Sequence, residues 1–217
     1  MNKSPHHFEI SATEYTASLC ALAVVFISVH LGLYFYNYRV EELPWLLLQL
    51  FDLDEENNLP TWFSSFVLLN VAFFVFVASK APDLKKPGHW RFIALGFFIL
   101  AIDEVAGLHE TFNSSIEINW AIPGAILVLF LTAAYVPFLL SLRGRLAALF
   151  ILAGALYISG ALVTELLSED MDSDSWDYAL AVALEEGLEM FGALLFLFVN
   201  LREMASDGKI DVDAAVL

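Results

Sequence analysis

An all-α, polytopic membrane helix bundle of six transmembrane helices is what this sequence predicts, on three observations. The first is composition: 59% of the 217 residues are hydrophobic and the mean hydropathy is +0.69. Soluble domains sit nearer half apolar, and long uncharged runs mark membrane proteins. The second is length. Apolar residues gather into runs at about 16–38, 62–80, 90–112, 120–142, 145–168 and 177–201. Each can cross the roughly 30 Å of a hydrocarbon core, which takes about 20 helical residues. The third is charge. If the runs alternate across the membrane, Lys3, Lys80, Lys85, Lys86, Arg91, Arg143, Arg145, Arg202 and Lys209 share one side, and Arg39 alone lies opposite. That bias puts both termini in the cytoplasm of a multi-pass protein of the cell inner (plasma) membrane.

Taken in order, residues 1–15 form a cytoplasmic segment, 16–201 the transmembrane domain and 202–217 an acidic cytoplasmic tail. The first run follows Glu9 and Glu14 and is too long for a signal-peptide core, so it reads as an uncleaved span. Residues 43–51 are too short to span and read as a helix lying in the interface. Before the second run, Thr61 is the expected helix cap and Trp62 the interfacial anchor. A sharper alternative makes this segment a polar lid, with Glu56 and Asn58 reaching a site below it. Pro123 opens the fourth run harmlessly, and Pro137 kinks its last turns.

A net charge of −16 argues against nucleic acid as a partner and against a polybasic grip on anionic lipid. The lone Cys20 supplies no disulfide framework and no cysteine metal site. The face opposite the basic loops is acidic: Glu41, Glu42, Asp52, Asp54, Glu55 and Glu56; Glu117; and Glu169, Asp170, Asp172, Asp174 and Asp177. A solvated rim is the plain explanation, and a vestibule that concentrates cations is the sharper one. The Asp170-x-Asp172-x-Asp174 pattern lacks the glycine and glutamate of a calcium loop.

Charge inside the third and sixth runs carries the functional argument, because ionisable groups in hydrocarbon are costly and rarely idle. At 100° per residue, Asp103, Gly107 and Glu110 share one helix face, with Glu104 and His109 at its flanks. Glu185, Glu189 and Gly192 share another, with Glu186 at its shoulder. Glycine on each stripe would let the two helices approach closely, face to face. Glu165 and His30 fall in the same outer layer. The carboxylates there have no Lys or Arg at their depth, so they must be protonated, hydrated or metal-bound.

The expected ligand set is Asp103, His109, Glu110, Glu185, Glu189, Glu165 and His30, holding divalent metal, with Zn, Fe or Mn favoured. Glu104 and Glu186 are the expected general acid or base. Four carboxylates and two histidines match a dinuclear helix-bundle site, but the usual Glu-x-x-His spacing is missing. Bland alternatives stand beside these. His30 suits a hydrogen-bonded core histidine, His109 suits interfacial water, and Glu165 suits the headgroup layer.

Glu56-Asn57-Asn58-Leu59-Pro60-Thr61-Trp62-Phe63-Ser64-Ser65, Asp103-Glu104 with His109-Glu110, and Glu185-Glu186-Gly187-Leu188-Glu189-Met190-Phe191-Gly192 together resemble a group of uncharacterised bacterial multi-pass membrane proteins. The resemblance covers most of spans two to six and implies no particular activity. Three functions follow from the residues. The first is a metal-dependent membrane enzyme, a hydrolase or oxidoreductase acting on a lipidic or small substrate. The second is a cation or proton transporter or channel. The third is an accessory subunit whose carboxylates only fix helix packing. Membrane lipid is the expected partner, and a homo-oligomer or a membrane complex is open.

Overall fold

The computed structural model describes residues 9–81, 84–116, 119–205 and 209–211. Lys3, Glu117 and most of the 202–217 tail lie outside the described residues, as does the side chain of Glu110. The architecture is all-helical apart from one short pair of strands. Strand β1 (Glu9–Ser11) pairs antiparallel with β2 (Lys209–Asp211), which clasps the two ends of the chain together.

Helix α1 (Ala12–Arg39) starts where the Ser11 hydroxyl accepts the Glu14 amide. Such an oxygen satisfies one of the orphan donors at a helix start. A seven-residue helix, α2 (Trp45–Phe51), stands where the short apolar segment was expected. Helix α3 (Leu59–Ala78) is capped by Asn58, not by Thr61: the Asn58 side chain accepts the Thr61 amide at 3.1 Å. Pro60 then sits in the first turn, where its missing N–H costs nothing, so the cap must precede it.

The third apolar run is not one helix. Helix α4 (Pro87–Ala106) ends at Gly107, whose φ of 55° is left-handed, and α5 (Leu108–Ile116) begins beyond it. A left-handed residue after the last helical one is a common stop, and glycine adopts it without a Cβ clash. The face arithmetic that grouped Asp103, Gly107 and Glu110 therefore fails past residue 106. Helix α6 (Ala121–Leu139) carries Pro137 near its end, as expected. Helix α7 (Gly144–Ile158) widens into a π turn over Ser159–Thr164 and resumes as α8 (Glu165–Ser168). Helix α9 (Trp176–Met204) opens with Ser175 accepting the Tyr178 amide.

Among the described residues, four rods are long and apolar enough to cross a membrane: Ala12–Arg39, Leu59–Ala78, Ala121–Leu139 and Gly144–Ser168. Helices α4 and α9 have comparable length but carry acidic residues along it. The bundle is built around α9, which packs against α1, α3, α7 and the π turn, while α4 lies along α3. Helix α4 packs chiefly along α3 and meets α9 through side chains, with the Phe97 and Phe196 ring centroids 5.0 Å apart. The two stripe glycines do not form that meeting. A Cβ at Gly192 would sit 2.6 Å from the Tyr157 amide nitrogen and 2.9 Å from the Ala153 carbonyl, so this glycine serves the α7–α9 seam. Gly107 ends a helix instead of opening a seam.

Candidate functional site

Acidic side chains from α4 and α9 reach one neighbourhood. Glu104 interacts electrostatically with His109, Asp103 and Glu56. Glu186 and Glu189 both interact with Glu104 and with Glu185, and Glu185 interacts with Glu165, Asp54 and His109. Asp103, Glu104, His109, Glu165, Glu185, Glu186 and Glu189 are thus linked through these electrostatic interactions, together with Asp54 and Glu56. All seven are partly buried.

Backbone irregularity does the positioning. The π turn carries Gly160, where a Cβ would lie 2.5 Å from the Glu185 carbonyl and 2.8 Å from Glu189 Cγ. Only a bare backbone there lets α9 bring Glu185 and Glu189 so near the seventh helix. π turns of this sort recur at functional sites. From the same rod Tyr157 acts on Glu189, and from α3 Ser64 acts on Glu104. Asn119 Nδ2 donates to Glu165 Oε1 at 3.4 Å. His109 Nδ1 lies 3.0 Å from Asp103 Oδ2, and the His109 ring leans on Trp120.

A strap of residues 52–58 lies beside this neighbourhood. Glu56 lays its carboxylate against Gly107: a Cβ there would fall 2.2 Å from Glu56 Oε2. The lid alternative is therefore met by Glu56, while Asn58 is occupied in donating to the Asp52 and Gln49 carbonyls. The Tyr178 hydroxyl donates to both oxygens of Asp54 at 3.0 Å. Asp52 accepts from the Tyr34 hydroxyl and lies 3.3 Å from His30 Nδ1. Burial opposes charge on Asp52, but its bonds to His30, Tyr34 and the Asp54 amide outweigh it and hold the carboxyl below its ordinary value.

His30 does not join the acidic set. Its Nε2 lies 3.2 Å from the Ala179 carbonyl, and the Leu53 amide donates to Nδ1 at 3.1 Å. With 1% exposure and both nitrogens engaged, it latches α1 to α9 and to the strap. Among the described residues, no three His, Cys, Asp or Glu side chains form a group ready to hold a metal ion.

The profile of a family described as a domain of unknown function, DUF8692, matches residues 16–204. The chain belongs to that family. No curated protein and no solved structure matches it. The family match spans every helix from the first turns of α1 to the end of α9, so the acidic neighbourhood and the strap belong to the family's domain.

Tyr157, Tyr178, Ser64 and Asn119 were missed because attention to carboxylates and histidines passes over hydroxyls and amides. A signal was present for Tyr157: a phenol eight residues before Glu165, on the same apolar rod, must find a partner in hydrocarbon.

Proposed function

We propose that this chain is a six-span protein of the plasma membrane that holds divalent metal among its outer-half carboxylates and uses it as a membrane enzyme. The topology draws support from two contacts at one end of the bundle. Lys86 Nζ donates to the Pro137 carbonyl at 3.0 Å, and Arg143 pairs with Glu203, so the basic loops and the end of α9 lie together. The β1–β2 clasp adds the two chain ends, which fits an even number of crossings. The interfacial placement of α2 is part of this reading.

One observation carries the metal: Glu104, Glu185, Glu186 and Glu189 act on one another, with Asp103, Glu165 and His109 close by. Like charges so placed repel unless protons or a cation neutralise them. Glu185, Glu189, Glu165, Asp103, Glu110 and His109 are the ligands proposed. In the tautomer that gives Nδ1–H to Asp103, the ligand lone pair of His109 is on Nε2, the arrangement that carboxylates impose on metal-bound histidines. A bound metal would polarise a substrate oxygen and acidify a water. Glu104 or Glu186 would then move the proton. The Tyr157 hydroxyl fixes Glu189, and Ser64 fixes Glu104.

A through-membrane ion path has less behind it. The polar side chains toward the basic end are already engaged: Asn70 Nδ2 donates to the Phe66 carbonyl and Asn200 Nδ2 to the Phe196 carbonyl, each at 2.7 Å. The test is elemental analysis of detergent-purified protein, wild type against Glu185→Gln. At least one divalent ion per chain is expected in the wild type, with about a tenfold loss in the variant. Wild-type protein that is metal-free, yet folded and natively behaved, overturns the reading.

A further inference from the structure

A cleft of about 550 Å³ opens between α2 and the strap, lined by Leu46, Gln49 and Leu50 on one wall and by Asp54, Glu55 and Glu56 on the other. That volume is within the range of small-molecule sites, about 300–1,000 Å³. We infer that it seats an amphiphile with a cationic head, which enters from the lipid and is delivered to the acidic set; the inference rests on the membrane-enzyme reading above and names its substrate class.

Three features of the cleft select that occupant. Its lining is divided, with Leu46 and Leu50 beside Gln49 on α2 and Asp54, Glu55 and Glu56 beside Asn57 and Asn58 on the strap, so it offers an amphiphile both an apolar and an acidic surface. Its charge has a single sign, since none of the residues lining it is Lys or Arg, so it attracts cationic heads and repels anionic ones. Its aliphatic wall faces outward: α2 buries no residue, and Trp45 and Leu46 are each 69% exposed. A chain lying along α2 would leave the bilayer without crossing water. The inner end of the acidic wall is Glu56, which lies against Gly107 and acts on Glu104. A head held at Glu56 therefore sits beside the catalytic carboxylates proposed above.

The test uses the full chain in nanodiscs of zwitterionic lipid, stripped of metal with EDTA. The probe is a chain-brominated dodecyltrimethylammonium, read by quenching of tryptophan fluorescence, with the matching sulfate and the uncharged maltoside as controls. Expected is saturable binding of one amphiphile per chain, at least tenfold tighter than either control. Glu55→Gln and Leu46→Asn should each weaken it at least threefold, with melting temperatures unchanged. Non-saturable partitioning, equal affinity for all three heads, or calcium binding at the cleft without amphiphile binding overturns the inference. Metal content of the same preparations before stripping separates the two ideas. Metal without amphiphile binding sinks this inference and spares the metal reading; amphiphile binding without metal does the reverse.

Discussion

The two ends of the bundle are built on opposite plans. At the end with the basic loops, aromatic rings fill the space between helices. Phe150 stacks on Phe196 with centroids 4.5 Å apart, Phe97 lies 5.0 Å from Phe196, and Trp90 meets Phe138 edge-on at 5.3 Å. Phe138, Phe150 and Phe196 are buried. The backbone there departs from regularity at Lys86, which is left-handed where α4 begins. At the other end, charge gathers and the backbone departs from regularity three times: the π turn, the left-handed Gly107 and the strap with its left-handed Asn57. Such departures cost energy and persist where surrounding contacts over-determine them. The contrast says that the aromatic end holds the helices in place, and that the acidic end spends that stability on positioning side chains.

If so, substitutions at the two ends should separate fold from site. The largest effect belongs to the seam both share. Gly192→Leu drives a side chain into the backbone of α7 at Tyr157 and Ala153, so the bundle should lose its monodisperse peak in detergent size-exclusion chromatography. Overpacking of this kind costs about 3 kcal/mol or more when backbone must move. Next comes Phe150→Ala, which empties the aromatic stack at a cost of about 3 kcal/mol. A thermal melt should register that loss while metal per folded chain stays at the wild-type value. A change in metal content here would mean that the two ends are not independent.

Gly107→Ala tests the other side of the comparison. A left-handed alanine costs about 1–2 kcal/mol, and its Cβ would displace the Glu56 carboxylate. The melt should fall modestly, and metal content or amphiphile binding should fall by a much larger factor. Equal losses in both would reduce Gly107 to an ordinary helix stop.

The legibility of the sequence divides along the same line. Apolar runs are read by length, so the long rods and the short α2 were visible. What failed was anything that depends on which helix a glycine serves. Gly107 and Gly192 look alike on a helical wheel, yet one ends a helix under Glu56 and the other admits α7. Periodicity assumes an unbroken helix, so it could not show that α4 stops at Ala106 or that the seventh rod widens at Ser159. Thr61 looked like a cap by residue type, but Pro60 behind it moved the cap to Asn58. His30 illustrates the limit for single polar residues. Its partners, Ala179 and Leu53, offer backbone atoms, which no side-chain pattern reveals.

The smallest expected effect is at the strap, and it carries a sign. Asp52 titrates below its ordinary value of 3.8 because the folded state stabilises its charge through His30, Tyr34 and the Asp54 amide. A depressed carboxyl adds stability that is fully present above the unfolded value and lost as pH falls through the folded one. The wild type should therefore lose stability from this group only below about pH 3.8, while acidification from pH 7 to 5 leaves its contribution intact. Asp52→Asn keeps an acceptor for Tyr34 but replaces charged bonds with neutral ones, at a cost of about 1 kcal/mol at neutral pH. The difference in melting temperature between wild type and variant should shrink as the pH drops from 5 toward 3. A difference that grows on acidification would mean that Asp52 is protonated in the folded strap, and that His30 and Tyr34 hold it by shape and not by charge.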